Sequence, residues 1–180
     1  MKKIIIASGI ILSMLLFVGC GETKKTKSLE DLGTDLSKKA AIPCLLNLDN
    51  KNVVVNWTAF KLSDKVGVGG TFDSVVVSGV TDNETMAGAA ATAQFDIYTA
   101  SVNSNNPERD AKISASFFGV MSNTAAISGK IISLSQDGSG SIALTMNGVE
   151  KEIAVQWEAT SERRLKLSAR INVPDWDAQP

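Results

Sequence analysis

The chain of 180 residues contains no histidine. That absence removes the commonest metal ligand and the side chain that exchanges protons most readily near neutral pH. No Ser-His-Asp or Cys-His arrangement can be assembled, and no Gly-x-Ser-x-Gly elbow occurs either. Cysteine is nearly as scarce: Cys20 and Cys44 stand alone, so no zinc-type cysteine pairs exist. Charge of one sign is also lacking, with 18 basic against 19 acidic residues and no long run of either. A phosphate-tracking surface is therefore unexpected, and no nucleic acid partner is expected. The glycine-rich stretch "VGVGG" (66–70) lacks the Lys-Ser/Thr of a phosphate loop and reads as a turn between strands. Acidic residues are dispersed, leaving Asp73, Asp96 and Lys130 as the group on which an enzyme reading would rest. No enzymatic activity, metal or cofactor is expected.

The clearest positive signal is N-terminal. Lys2 and Lys3 precede an apolar run of 15 residues, "IIIASGIILSMLLFV", followed by Gly19 and Cys20. The run is shorter than the roughly 20 residues of a spanning helix and reads as an export signal over residues 1–19. "LFVGC" looks like a bacterial lipobox, with Phe17 where leucine is usual, so Cys20 is the expected lipidation site. Acyl chains there would tie the protein to a membrane, each buried methylene contributing about 0.8 kcal/mol. Gly21 in place of a retention aspartate favours the outer membrane, facing the periplasm, over the inner one. Residues 20–40 are polar and lysine-rich and read as a flexible tether, with Leu29, Leu32 and Leu36 hinting at a weak amphipathic stretch. Residues 41–180 remain for one domain, in which Cys44 is the leftover thiol, either buried and inert or missing a partner.

From Asn52 onward the apolar period is close to two. Seven segments read as strands: 53–61, 70–80, 92–102, 125–135, 140–146, 149–157 and 165–173. Asp137-Gly138 and Asn147-Gly148 mark tight hairpins, so the pairing is mostly antiparallel and suits a sandwich or a closed barrel. "MAGAAATA" (86–93) reads as a loose loop. One stretch breaks the pattern, "SVNSNNPERDAKISASFF" (101–118). Asn106 can cap a helix, Pro107 fits its first position, and Glu108 and Asp110 suit its first turn. About three helical turns are expected, burying Ala111, Ala115 and Phe118 with Ile113 and Phe117 beside them.

What remains is apolar. Trp57, Phe72, Phe95, Ile97, Phe117, Phe118 and Ile127 are candidates for the inward face, as are Leu144, Met146, Val155, Trp157, Leu165 and Leu167. Any of them could equally fill a solid core.

The segments "FDIYTASVNSNNPERDAKISASFFGVMSNTAAISGKI", "SGSIALTMNGVEKEIAV" and "ARINVPDWD" occur in an order that resembles the YceI-like lipid-binding (polyisoprenoid-binding) family. "VNWTAFK" with "VGVGGTFD" is similar to the first hairpin of one branch. The resemblance covers about residues 52–177. It implies an all-β, lipocalin-like antiparallel barrel of eight strands, with one short helix between the third and fourth. It further implies that the inward candidates hold a long-chain isoprenoid lipid, with Phe117 and Phe118 sealing or lining the cavity. Arg109-Asp110 would be a helix-start charge pair, or would orient a lipid head. Only seven strands are counted, and the chain stops where the pattern leads into a final segment. A cysteine expected downstream to pair near Cys44 is also absent, so the readings left open are a chain that lacks its last strand and a genuine shortened form. The expected partners are an isoprenoid or other long-chain lipid and the membrane, and a homodimer is allowed. The rival reading is a surface lipoprotein with a packed barrel serving as a protein-interaction module.

Overall fold

The computed structural model describes residues 5–11, 44–61, 66–160 and 164–178. Cys20 and the tether expected over 20–40 lie outside the described residues. Ten strands are found among the described residues: β1 (Ile5–Ile11), β2 (Val54–Lys61), β3 (Val66–Phe72), β4 (Val75–Ser78), β5 (Gln94–Tyr98), β6 (Val102–Asn103), β7 (Ala126–Leu134), β8 (Ser139–Met146), β9 (Val149–Ala159) and β10 (Leu165–Asn172). Helix α1 spans Met86–Ala90 and α2 spans Pro107–Ser116. Every pairing is antiparallel, in the order β4-β5-β7-β8-β9-β10-β1-β2-β3-β6.

The two ends of that order belong to the same two chain paths. β3 runs into β4 through a corner at Asp73 and Ser74, and β5 runs into β6 through a single 3-10 turn, Thr99–Ser101. β4 pairs with β5 while β3 pairs with β6, so the bent path 66–78 lies along the bent path 94–103 and the sheet closes on itself. The corner is stitched by Asp73 N–H donating to Ser101 O at 3.0 Å and Tyr98 N–H to Ser74 O at 3.0 Å. Ten labels thus reduce to eight strand paths in an antiparallel barrel, which leaves no long open edge.

Three sequence expectations change. "VGVGG" is strand rather than turn, because its glycines make room for the aromatics of β2. A Cβ on Gly70 would stand 2.8 Å from the Trp57 ring, and one on Gly67 3.5 Å from Phe60. The segment 70–80 is broken at the Asp73 corner, so its single expected strand is two. "MAGAAATA" is not a loop: Thr85 caps α1, its Oγ1 accepting from Gly88 N–H at 3.0 Å, and Ala89, Ala90 and Ala93 are buried. As the seven-strand count implied, no strand follows β10 among the described residues, and the eighth place in the ring is filled from the other end of the chain. β1, which falls inside the expected leader, occupies it between β10 and β2, with Ile6 opposite both Ile171 and Ala59. Cys44 is an exposed free thiol.

Opposite ends of the barrel are closed differently. α1 lies in the β4–β5 connection at one end, and α2 in the β6–β7 connection at the other. At the α2 end the Asn147-Gly148 turn has φ of 52° and 77°, the left-handed pair a two-residue hairpin requires. The Asn147 amide also joins three loops. Its Oδ1 accepts from Ser122 N–H at 2.7 Å, and its Nδ2 donates to the carbonyls of Trp176 and Asp177, both at 3.2 Å. Trp176 in turn is buried and donates Nε1–H to Leu144 O at 3.1 Å. Asn147→Gly keeps the turn geometry but loses these side-chain bonds, and should lower the stability measured by urea unfolding by about 1–2 kcal/mol. An unchanged midpoint would show that the amide clamp contributes nothing.

Candidate functional site

α2 forms as its residues dictate. Asn106 Oδ1 accepts from Arg109 N–H at 3.0 Å, Pro107 occupies the first turn, and Glu108 and Asp110 sit near the positive end of the helix. Asp110 does not pair with Arg109. Its Oδ1 accepts from Ser104 N–H at 2.9 Å and Ser104 Oγ–H at 2.6 Å, which ties the helix start to the end of β6. The other end is fixed by rings: Phe118 is buried, 6.1 Å from Phe72 and 4.8 Å from Phe117, edge-on to both.

The helix does not bury the stripe its alanines suggest. Ala111 and Ala115 are exposed, and none of the ten residues of α2 is fully buried. The side that borders the barrel interior is Arg109, Lys112, Ile113, Ser116 and Phe117, spaced i, i+3, i+4, i+7 and i+8, with Ile113 and Phe117 half-buried and the other three exposed at the rim. The reason is anchoring. With Phe118 held under the helix end and Asp110 held by Ser104, the rotation of α2 is set, and its alanines fall on the solvent side.

Beneath α2 lies a cavity of about 550 Å³. That is mid-range for a small-molecule site. Among the sequence-predicted residues, Trp57, Phe72 and Ile97 line it from β2, β3 and β5, and Ile127, Leu144 and Met146 from β7 and β8. Phe117 and Phe118 line it from the helix side. Trp57 is held in place by Nε1–H donating to Thr71 O at 3.1 Å. Phe95, Val155 and Leu167 are elsewhere, around a void of only about 30 Å³ toward the α1 end, room for roughly one water. The Phe95 ring lies across Gly129 on the neighbouring strand, where an added Cβ would come within 2.3 Å of it. Val55, Ile142 and Ala169 border both spaces and form the constriction between them.

Two predicted residues border neither space. Trp157 latches the β7–β8 turn, donating Nε1–H to Ser135 O at 2.8 Å and backbone N–H to Gly138 O at 2.7 Å. Leu165, with no exposed surface, is plain core. Several lining residues escaped the sequence reading although alternation marked them. Ile142 and Ile153 stand two before Leu144 and Val155, while Ala169 and Ile171 stand two and four after Leu167. Trp176 had no periodic signal, being the lone aromatic of a 3-10 turn. Asp73, Asp96 and Lys130 do not meet in the cavity. Asp73 accepts from Thr71 and Asn103, Asp96 accepts from Ser128, and Lys130 is exposed.

A closed antiparallel barrel with an apolar chamber under a helical cover is the architecture of a lipocalin-like binding protein. The family model of the YceI-like domain matches residues 46–179, and the chain belongs to that family. The family is associated with polyisoprenoid binding, and with hydrophobic ligands in general, and is not known for enzymatic activity. No curated protein and no solved structure was found to match the chain.

Core and chamber wall should respond differently to truncation. Leu165→Ala, in close packing, should cost about 2–5 kcal/mol in urea unfolding of the delipidated protein. Ile127→Ala, whose side chain already faces open space, should cost about 1 kcal/mol. Equal losses would mean that the chamber is filled by protein in solution.

Proposed function

We propose that the protein is an exported, lipid-anchored binding protein that holds a long-chain isoprenoid-type lipid in the chamber under α2. The observation that carries this reading is the chamber itself: about 550 Å³ of space, walled by aliphatic and aromatic side chains of eight strands and closed over by a helix. Burying apolar surface there stabilises a complex by roughly 25 cal/mol per Å², less the cost of association. An acyl group on Cys20, with residues 20–40 as a tether, would keep the barrel at the outer membrane's periplasmic face and close to its ligand. The packed-barrel alternative, an interaction module without a ligand, finds support at the α1 end, where the interior is nearly full, but not at the α2 end.

Organic extracts of the folded protein should contain an isoprenoid lipid by mass spectrometry. Ile97→Trp, which adds an indole to the chamber wall, should reduce loading of that lipid about tenfold while leaving the barrel's circular dichroism intact. A lipid-free protein that cannot be loaded would overturn the reading.

Export has its own check. Protein from the membrane fraction should have the intact mass of a chain beginning at acylated Cys20, and Cys20→Ser should be recovered unacylated. A mass retaining Ile5–Ile11 would exclude the lipoprotein part of the proposal while leaving lipid binding open.

A further inference from the structure

The inward face of α2 carries the wrong residues for a simple cover. Of the five residues of α2 that border the chamber, Arg109 and Lys112 are cationic and exposed at its rim, while its two alanines do not border it. Neither the Arg109 guanidinium nor the Lys112 ammonium makes a hydrogen bond or ion pair with a described residue. Among the described residues no carboxylate lines the chamber: Asp110 is occupied by Ser104, and Glu108 does not border it. The chamber surface formed by the described residues is apolar almost throughout, so Arg109 and Lys112 lend it their carbon stems while their charged heads, without a partner among the described residues, stand in solvent at its edge.

We infer that the chamber takes an amphiphile with an oxyanion head, carboxylate or phosphate monoester, which Arg109 and Lys112 hold at the mouth while the chain lies inside. The inference rests on the reading of the chamber as a lipid site and adds a requirement for the head. The chemistry is complementary in both parts. A guanidinium meets an oxyanion with two parallel N–H donors, and an ammonium one turn away supplies a second charge. Both cations are exposed, so they need not be desolvated before a ligand arrives. The charged end stays in water beside them, and only the apolar chain crosses into the barrel.

Matched pairs of probes test this on the full-length protein stripped of lipid. Palmitate is compared with hexadecanol, and farnesyl monophosphate with farnesol, by displacement of a fluorescent apolar probe or by calorimetry. In at least one pair the anion should bind about tenfold more tightly than its alcohol. That ratio should shrink as salt is raised from low to near-molar ionic strength. Arg109→Gln and Lys112→Gln should each reduce the ratio severalfold, and Lys112→Arg should retain it. A preference only in the palmitate pair supports a carboxylate head, and one only in the farnesyl pair a phosphate. Equal binding of anion and alcohol in both pairs overturns the head-group inference and leaves lipid binding standing. Variants that weaken anion and alcohol alike, with the ratio unchanged, overturn it as well by showing that the two residues act on the fold. No binding of any probe overturns both readings.

Discussion

The clasp of Phe118 between Phe72 and Phe117 decides where everything at the working end of this barrel lies. α2 has no fully buried residue and a short apolar stripe, so little of its own surface holds it down. Its position is set by what flanks it: Asp110 bonded to Ser104 at the start, and the Phe118 ring at 6.1 Å and 4.8 Å from its neighbours at the end. A helix of ten residues is marginal by itself, so tertiary anchors supply its stability. Because they lie at its two ends, the middle is free to span an opening. The space beneath exists because the helix is hung from its termini rather than packed along its length.

The opposite end shows the contrast. There the β4–β5 connection brings the buried alanines of α1 against the barrel, and Phe95 covers the bare backbone at Gly129. Small residues allow close approach of backbone, and the interior shrinks to a void of about 30 Å³. Val55, Ile142 and Ala169 mark the boundary, one residue each from β2, β8 and β10. The same alternating pattern thus gives a core at one end and a chamber at the other. What differs is the connection inserted at each end.

Much of this was legible in sequence, and the limits have physical causes. Strand positions and hairpins followed from alternation and from Asn147-Gly148, since both are local properties of the backbone. The α2 cap was readable for the same reason, through Asn106 and Pro107. The rotation of α2 was not, because its apolar count favoured Ala111 and Ala115 while Phe72, distant in sequence, and Ser104, bonded to Asp110, fixed another face. Trp157 illustrates a second limit: alternation correctly puts it on a strand, yet its indole is claimed by the Ser135 carbonyl at the strand's end. "VGVGG" illustrates a third, since glycine signals turn locally but here serves the bulk of Trp57 and Phe60 across the ladder. Each miss involves a partner that no local window contains.

The stave that closes the ring stands apart from the rest. β1 pairs along β10 from Ile5 opposite Asn172 to Ile10 opposite Leu167, and along β2 from Ile5 opposite Phe60 to Ile11 opposite Val54. The family-matched residues 46–179 contain the other seven strand paths and not this one. Its two neighbours contribute Ala59, Ala169 and Ile171 to the chamber wall, so the place β1 fills lies beside the chamber. A strand slot is indifferent to sequence in its hydrogen bonds and selective only for a side-chain pattern. The run "IIASGII" is apolar and rich in β-branched residues, a composition suited to a strand and equally to an export signal, which asks for length and hydrophobicity alone. The two roles exclude each other in a processed chain. If residues 1–19 are removed on export, β2 and β10 must find other partners for their backbone groups, because exposed edges beside an apolar chamber invite pairing with another chain.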